Sequence, residues 1–204
     1  MIGIFGGTFD PIHYGHLRSA LELKELFQLD HIRLIPCAQP VHRDEPNTTA
    51  LQRLEMLQIA VQNQPDFIVD AQELERDGGS YTFHTLKKLR HDYPNESLLL
   101  FVGSDAFNGF TTWFRWQELF DLAHIVVITR PNSALNPLND FFKSRLTNDK
   151  SQLKQPAGHV FFQEITQLAI SATAIRGMIA AKHNPRFLLP DAVLDYIFKH
   201  QLYF

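Results

Sequence analysis

His13 and His16 are the side chains of this sequence best placed to do chemistry. They close a glycine-rich stretch, Gly6-Gly7-Thr8-Phe9-Asp10-Pro11-Ile12-His13-Tyr14-Gly15-His16. Met1 to Phe5 is short, apolar and partly β-branched, which predicts a buried strand, and Gly6 and Gly7 punctuate its end. Leu17, Ala20, Leu23 and Phe27 then recur at helical spacing, so both histidines fall in or just before the first turn of an amphipathic helix, on one face. A helix start carries unpaired N–H groups and the positive end of the helix dipole, and both favour an anion such as phosphate. Two imidazoles add donors, and glycines let the backbone approach a ligand where a Cβ would intrude. The stretch reads as a phosphate cradle, while a helix cap or a solvated pair is the alternative that these residues alone leave open. The Gly-x-x-x-x-Gly-Lys-Ser/Thr loop is absent, and Gly3, Gly6 and Gly7 lack dinucleotide-fingerprint spacing. A zinc site would need further ligands, but Cys37 has no second cysteine and the other histidines form no ligand cluster, so no metal ligand is assigned.

At 204 residues the chain is read as a single domain over 1–204 with a small C-terminal helical part from about 171 to 204. A hydrophobic content of 45% with 20% charged residues fits a globular protein and excludes a disordered one. The net charge of −3 argues against a generally basic nucleic-acid-binding surface, so any phosphate site must be local. No secretory signal or bilayer-spanning run is present, and a cytoplasmic location with no membrane partner is expected. Cys37 reads as a small apolar residue, since nothing in the sequence supplies an activating base.

Further elements must position these groups. His31 to Pro36 predicts a second strand and completes a βαβ opening. Cys37 to Asn47 is a polar loop carrying Val41-His42-Arg43, with Arg43 either functional or simply solvated. Thr48 or Thr49 can cap a helix with a Leu51, Leu54, Leu57, Val61 stripe, read as packing only. Phe67 to Val69 is a third strand, and Ser80-Tyr81-Thr82 opens another helix, where capping is the ordinary role of such residues. Ser97 to Val102 is a continuous apolar run, as in a strand buried on both faces of a parallel sheet. Gly103 and Asp105 follow its carboxyl end, where ligands of open α/β sheets bind and an aspartate can accept from ribose hydroxyls; a plain turn is the alternative. Trp113 and Trp116 could anchor a helix or stack on a flat ring. His124 to Thr129 is another strand with Arg130 at its carboxyl end, suited to a nucleotide contact. Residues 132–158 read as a variable excursion with one short helix around Asp140 to Leu146, and His159 to Ile165 as the last strand. Ile170-Ser171-Ala172-Thr173-Ala174-Ile175-Arg176 opens a helix with Ser171 as N-cap, and a final amphipathic helix begins near Pro190-Asp191. The alternation gives an α/β class with a doubly wound, mostly parallel sheet.

The opening stretch resembles the T/H-x-G-H signature of the nucleotidyltransferase superfamily, and specifically that of bacterial nicotinate mononucleotide adenylyltransferases. Residues 170–176 are similar to the same family's Ile-Ser-x-Thr-x-Ile-Arg segment, and the resemblance covers nearly the whole chain. It implies a Rossmann-like fold and adenylyl transfer from ATP to nicotinate mononucleotide, giving nicotinic acid adenine dinucleotide and pyrophosphate in NAD biosynthesis. His13, His16 and Arg176 become the catalytic set. Gly6, Gly7, Thr8, Phe9, His13, His16, Gly103, Asp105, Arg130, Ser171, Thr173 and Arg176 become the ATP site. Thr8, Asp10, Arg43, Tyr81, Thr82 and Trp113 become the mononucleotide site, with Tyr81 and Thr82 receiving the pyridine carboxylate and Trp113 stacking on the ring. Val41 departs from the proline more common in the family's Pro-His-Lys/Arg segment, which puts the role of Arg43 in question. Mg²⁺ held mainly through ATP phosphates is the expected cofactor, and a monomer or homodimer the expected assembly.

Two other readings compete. Within the superfamily the acceptor could be phosphopantetheine or nicotinamide mononucleotide, and the resemblance of Ser80-Tyr81-Thr82 and Trp113 favours a pyridine with a carboxylate. Outside catalysis, the chain could be a nucleotide sensor or an RNA-binding relative of class I tRNA synthetases. The intact His and Arg set counts against the first, and the absent Lys-Met-Ser-Lys-Ser segment and negative charge against the second.

Overall fold

Apolar runs and amphipathic stretches fold into strands and helices close to the order the sequence predicts. The computed structural model describes residues 1–40, 46–129, 135–166 and 168–204. In it β1 (Ile2–Gly7), α1 (Tyr14–Phe27) and β2 (His31–Pro36) lead to α2 (Ala50–Val61), β3 (Phe67–Val69) and α3 (Thr82–Asp92). Then come β4 (Leu98–Gly103), α4 (Ser104–Asn108), α5 (Leu119–Leu122), β5 (His124–Thr129), α6 (Asp140–Lys143), β6 (Val160–Glu164), α7 (Ala172–Ala180) and α8 (Asp191–Lys199). The strands form one six-stranded parallel sheet in the order β3-β2-β1-β4-β5-β6, the expected doubly wound α/β class. Register follows the apolar runs: Ile2 pairs with Leu98, Leu99 with His124 and Ile125 with Val160.

By packing, the chain divides into two compact units: Met1–Phe5, Leu23–Arg33 and Tyr81–Thr166, and Gly6–Glu22, Leu34–Ser80 and Gln167–Phe204. In the first, Leu98 to Val102 and Ile125 to Ile128 are buried throughout, as strands covered on both faces must be. Gly3 lets β1 lie close to its neighbours: a Cβ there would sit 2.6 Å from Leu29 and 2.9 Å from Phe101. Within the expected variable excursion, Phe142, Thr147 and Leu153 are buried. α6 supplies Phe141 and Phe142 against Trp116, with ring centroids 4.9 and 5.3 Å away, and Lys150–Lys154 forms a 3₁₀ turn. The Arg90 guanidinium ties the neighbouring loops together by donating to the carbonyls of Leu122 and Pro156, both at 2.7 Å.

In the second unit, Thr49 caps α2 through a capping box with Gln52. The buried face of α2 is Arg53, Met56, Leu57 and Val61, whereas Leu51 is 60% exposed. The predicted stripe was therefore turned by part of a residue's rotation, because hydropathy counts a leucine at 51 and discounts an arginine at 53. Ser80 does not cap α3; its hydroxyl accepts instead from the N–H groups of Ala38 (3.0 Å) and Gln39 (3.1 Å).

Candidate active site

The loop leaving β1 is held by backbone and buried side chains. Phe9 takes a left-handed conformation (φ 51°) and is buried. Gly7 permits this, since a Cβ there would meet the Phe9 ring at 2.9 Å. Arg53, only 1% exposed, reaches the same loop from α2. Its guanidinium donates to the carbonyls of Thr8 (2.8 Å), Cys37 (2.6 Å) and Ala38 (3.1 Å). Burial lowers the pKa of this arginine, an effect opposed by the nearby Cys37, Asp10 and Tyr203.

His13 directly precedes α1 and His16 lies in its first turn; their rings stack with centroids 3.7 Å apart, and Phe9 meets His16 edge-on at 5.2 Å. Gly15 makes room for the pair, because a Cβ there would come within 2.9 Å of His13 Cε1 and Nδ1. Burial lowers His13 to about 4. Burial, and then the neighbouring His13, lower His16 to about 3. Both rings are therefore neutral near pH 7, and their buried Nδ1 atoms have no hydrogen-bond partner among the described residues. A buried polar atom left without a partner is costly unless something else meets it.

The two motifs from opposite ends of the sequence meet in this unit. Arg176 Nη1 donates to the Asp10 carbonyl at 2.7 Å and lies 3.8 Å from the Asp10 carboxylate. Arg176 Nη2 also donates to the Thr173 hydroxyl at 3.3 Å. The Ile170 carbonyl lies 3.4 Å from where a Gly15 Cβ would stand. Ser171 caps α7 by accepting from the Ala174 N–H at 3.1 Å, as predicted. Asp10 is buried and accepts from the Thr48 hydroxyl (2.6 Å), the Asn47 N–H (3.0 Å) and the Tyr203 hydroxyl (2.7 Å).

In the other unit, Tyr81 precedes α3 without giving its first turn a side-chain acceptor, and its ring lies 5.0 Å from that of Phe114. Trp113 stacks on the fully buried Phe110 at 4.8 Å, which fixes the plane of the indole. Asp105 is exposed in the first turn of α4, after β4 and the exposed Gly103. Among the described residues, no group of three or more His, Cys, Asp or Glu side chains is arranged to hold a metal ion, and no helix is long and apolar enough to cross a membrane.

The cytidylyltransferase-like family model matches residues 4–178, and so includes both motifs. The chain belongs to this family. Among curated relatives, proteins named "Probable nicotinate-nucleotide adenylyltransferase" are close to it along their whole length. That of Pseudomonas aeruginosa (strain UCBPP-PA14) is 47% identical, over 99% of this chain and 96% of its own. That of Methylococcus capsulatus (strain Bath) is 46% identical, over 100% and 99% respectively. In fold, the chain is similar to Plasmodium falciparum nicotinic acid mononucleotide adenylyltransferase complexed with NaAD, with a TM-score of 0.75, 20% identity and coverage of 99% and 96%.

Of the residues predicted for this cytidylyltransferase-like protein, Gly6, Gly7, Thr8, Phe9, Asp10, His13, His16, Ser171, Thr173 and Arg176 belong to one unit. Tyr81, Thr82, Gly103, Asp105 and Trp113 belong to the other. Arg43 and Arg130 lie outside the described residues. Sequence reasoning passed over Arg53 and Tyr203. An arginine at the i−3 and i−4 positions of Met56 and Leu57 was the available signal for the first; nothing local marked the second.

Proposed function

We propose that the protein is a nicotinate-nucleotide adenylyltransferase, converting ATP and nicotinate mononucleotide to nicotinic acid adenine dinucleotide and pyrophosphate in NAD biosynthesis. The observation that carries this reading is the contact of Arg176 with Asp10, which joins the closing motif to the opening one. In the same unit lie two imidazoles whose buried Nδ1 atoms have no partner among the described residues. A mononucleotide phosphate oxygen attacks the α-phosphorus of ATP in line, and the bond to the β-phosphate oxygen breaks. Catalysis of this kind needs no side-chain nucleophile, only positioning and stabilisation of charge on phosphate oxygens. His13, His16 and Arg176 supply the charge-stabilising donors. Gly6, Gly7, Thr8, Phe9, Ser171 and Thr173 are assigned to the triphosphate, and Gly103, Asp105 and Arg130 are assigned, on the resemblance alone, to the nucleoside.

Trp113, backed by Phe110, offers a flat face for the pyridine. The start of α3, with Tyr81 and Thr82, suits its carboxylate, since a helix end without a side-chain acceptor keeps its donors for a ligand. Arg43 and Thr8 are assigned to the mononucleotide phosphate in this reading, and Asp10 contributes through the groups it holds. Mg²⁺ prefers oxygen ligands and often takes them from substrate phosphates. His13, His16 and Arg176 are nitrogen groups rather than the oxygen ligands Mg²⁺ prefers, so in this reading the ion would be held by triphosphate oxygens and water. When bound, the ion neutralises charge on the triphosphate. The same proposal takes 1–204 as one nucleotidyltransferase domain with a helical part from about 171, in a cytoplasmic monomer or homodimer that binds neither nucleic acid nor membrane.

Pyrophosphate release decides the matter when the protein is incubated with ATP, Mg²⁺ and either nicotinate or nicotinamide mononucleotide. Release with the nicotinate form, exceeding that with the nicotinamide form, is expected; release with neither would sink the reading.

A further inference from the structure

α8 does not simply fray at its end. The Gln201 N–H donates to the Phe198 carbonyl at 3.2 Å and the Leu202 N–H to the Ile197 carbonyl at 3.0 Å, with Gln201 in the left-handed region at φ 53°. This is the Schellman pattern, with glutamine where glycine is usual, and it reverses the chain. Leu202 and Ile197, at the positions that commonly make its apolar contact, are 8% and 0% exposed. Tyr203 is also left-handed, at φ 67°, a conformation unfavourable for a residue with a Cβ. A conformation of that kind persists only where its surroundings over-determine it. The determining contact here is the phenol hydroxyl, which donates to Asp10 Oδ1 at 2.7 Å across 193 positions of sequence.

Asp10 is where this matters. Oδ1 accepts from both the Tyr203 and Thr48 hydroxyls, and Oδ2 accepts from the Asn47 N–H. These three donors fix the carboxylate's position, with Oδ2 3.8 Å from Arg176 Nη1 and so beyond hydrogen-bond distance, while the Asp10 carbonyl holds the same nitrogen at 2.7 Å. A guanidinium has five N–H donors, and Thr173 takes one more, so the remainder are left for a bound anion. If Oδ1 lost a donor, the carboxylate would satisfy itself on Arg176, since an arginine fork and a carboxylate pair readily in bidentate fashion.

We propose that Tyr203 is a positioning residue for adenylyl transfer, holding Asp10 Oδ1 so that the carboxylate does not close into a hydrogen-bonded pair with Arg176 and the guanidinium stays available to the triphosphate. This rests on the adenylyltransferase reading above. Tyr203→Phe removes only the hydroxyl. We expect kcat to fall about tenfold with the KM for ATP within about twofold, the pattern of a donor that matters chiefly in the transition state. In an Arg176→Met background the same substitution is expected to change kcat by less than about 1.5-fold, since residues acting through one another are not additive. A merely structural tyrosine would act equally in both backgrounds. Should Tyr203→Phe fail to fold, Thr48→Val removes the other hydroxyl on Oδ1 and enters the same cycle. An unaltered kcat in the single variant, or equal effects in the two backgrounds, overturns the inference while leaving the adenylyltransferase reading intact. A wild-type protein that releases no pyrophosphate overturns both.

Discussion

Two imidazoles stacked 3.7 Å apart in a desolvated crevice cannot both carry charge without a counterion, and burial accordingly holds His13 near pKa 4 and His16 near 3. The free protein thus presents neutral rings, each with one N–H, and a polyanion is the kind of partner that makes such a pair favourable. His16→Ala should lower kcat by roughly 10²- to 10³-fold, about 3 to 4 kcal/mol, the scale of one lost transition-state donor. Steady-state assays on variant protein of native circular dichroism check it, and a value within threefold of wild type would remove His16 from the catalytic role. The candidate residues were legible from type and spacing. What spacing did not reveal is that the rings face each other, a consequence of Gly15 leaving room for His13.

At the scale of elements, α2 behaves differently from its hydropathy. Its capping box and short apolar face are those of a packing helix, yet one turn in it places Arg53 beneath the loop of the opening motif. A periodicity argument credits apolar residues only, so a buried arginine that satisfies three carbonyls looks like a solvated one. Replacing it with methionine leaves those carbonyls without their donor in a buried place. Arg53→Met is expected to lose at least about 2 kcal/mol of stability by urea unfolding, since unsatisfied buried groups cost about 1 to 3 kcal/mol each. A loss under about 0.5 kcal/mol would mean that the clamp is unimportant. The strands were read correctly for the opposite reason: continuous apolar runs such as Leu98 to Val102 permit little else than a doubly covered parallel strand.

For the whole molecule, three histidines among the described residues, desolvated and held neutral, couple stability to pH. Besides His13 and His16, His124 is held near pKa 4, chiefly by burial and against the hydrogen bond to the Gln155 carbonyl that raises it. Each is neutral in the fold and titrates near 6.5 when unfolded, so the unfolded chain binds more protons below that pH. Stability is therefore full above about pH 6.5 and is lost as the pH falls towards about 4. From about pH 7.5 to about pH 5, each histidine should contribute a loss of roughly 2 kcal/mol. Urea midpoints across that range measure it, and a constant midpoint would show that the rings are not buried neutral. His124→Asn, which can keep either the hydrogen bond to the Gln155 carbonyl or the one His124 Nδ1 accepts from the His159 N–H at 3.1 Å, should flatten part of the slope.

Local chemistry was open to inspection in the sequence: the strand and helix order, the glycine-histidine and serine-threonine-arginine motifs, the cap at Ser171, and the class of fold follow from neighbours along the chain. The tertiary structure alone decided which distant groups touch. Asp10 gathers donors from Asn47, Thr48 and Tyr203 and gives its carbonyl to Arg176. No propensity or period links residues 193 positions apart; such contacts exist only because burial of a carboxylate demands partners, and the folded chain determines which ones lie within reach.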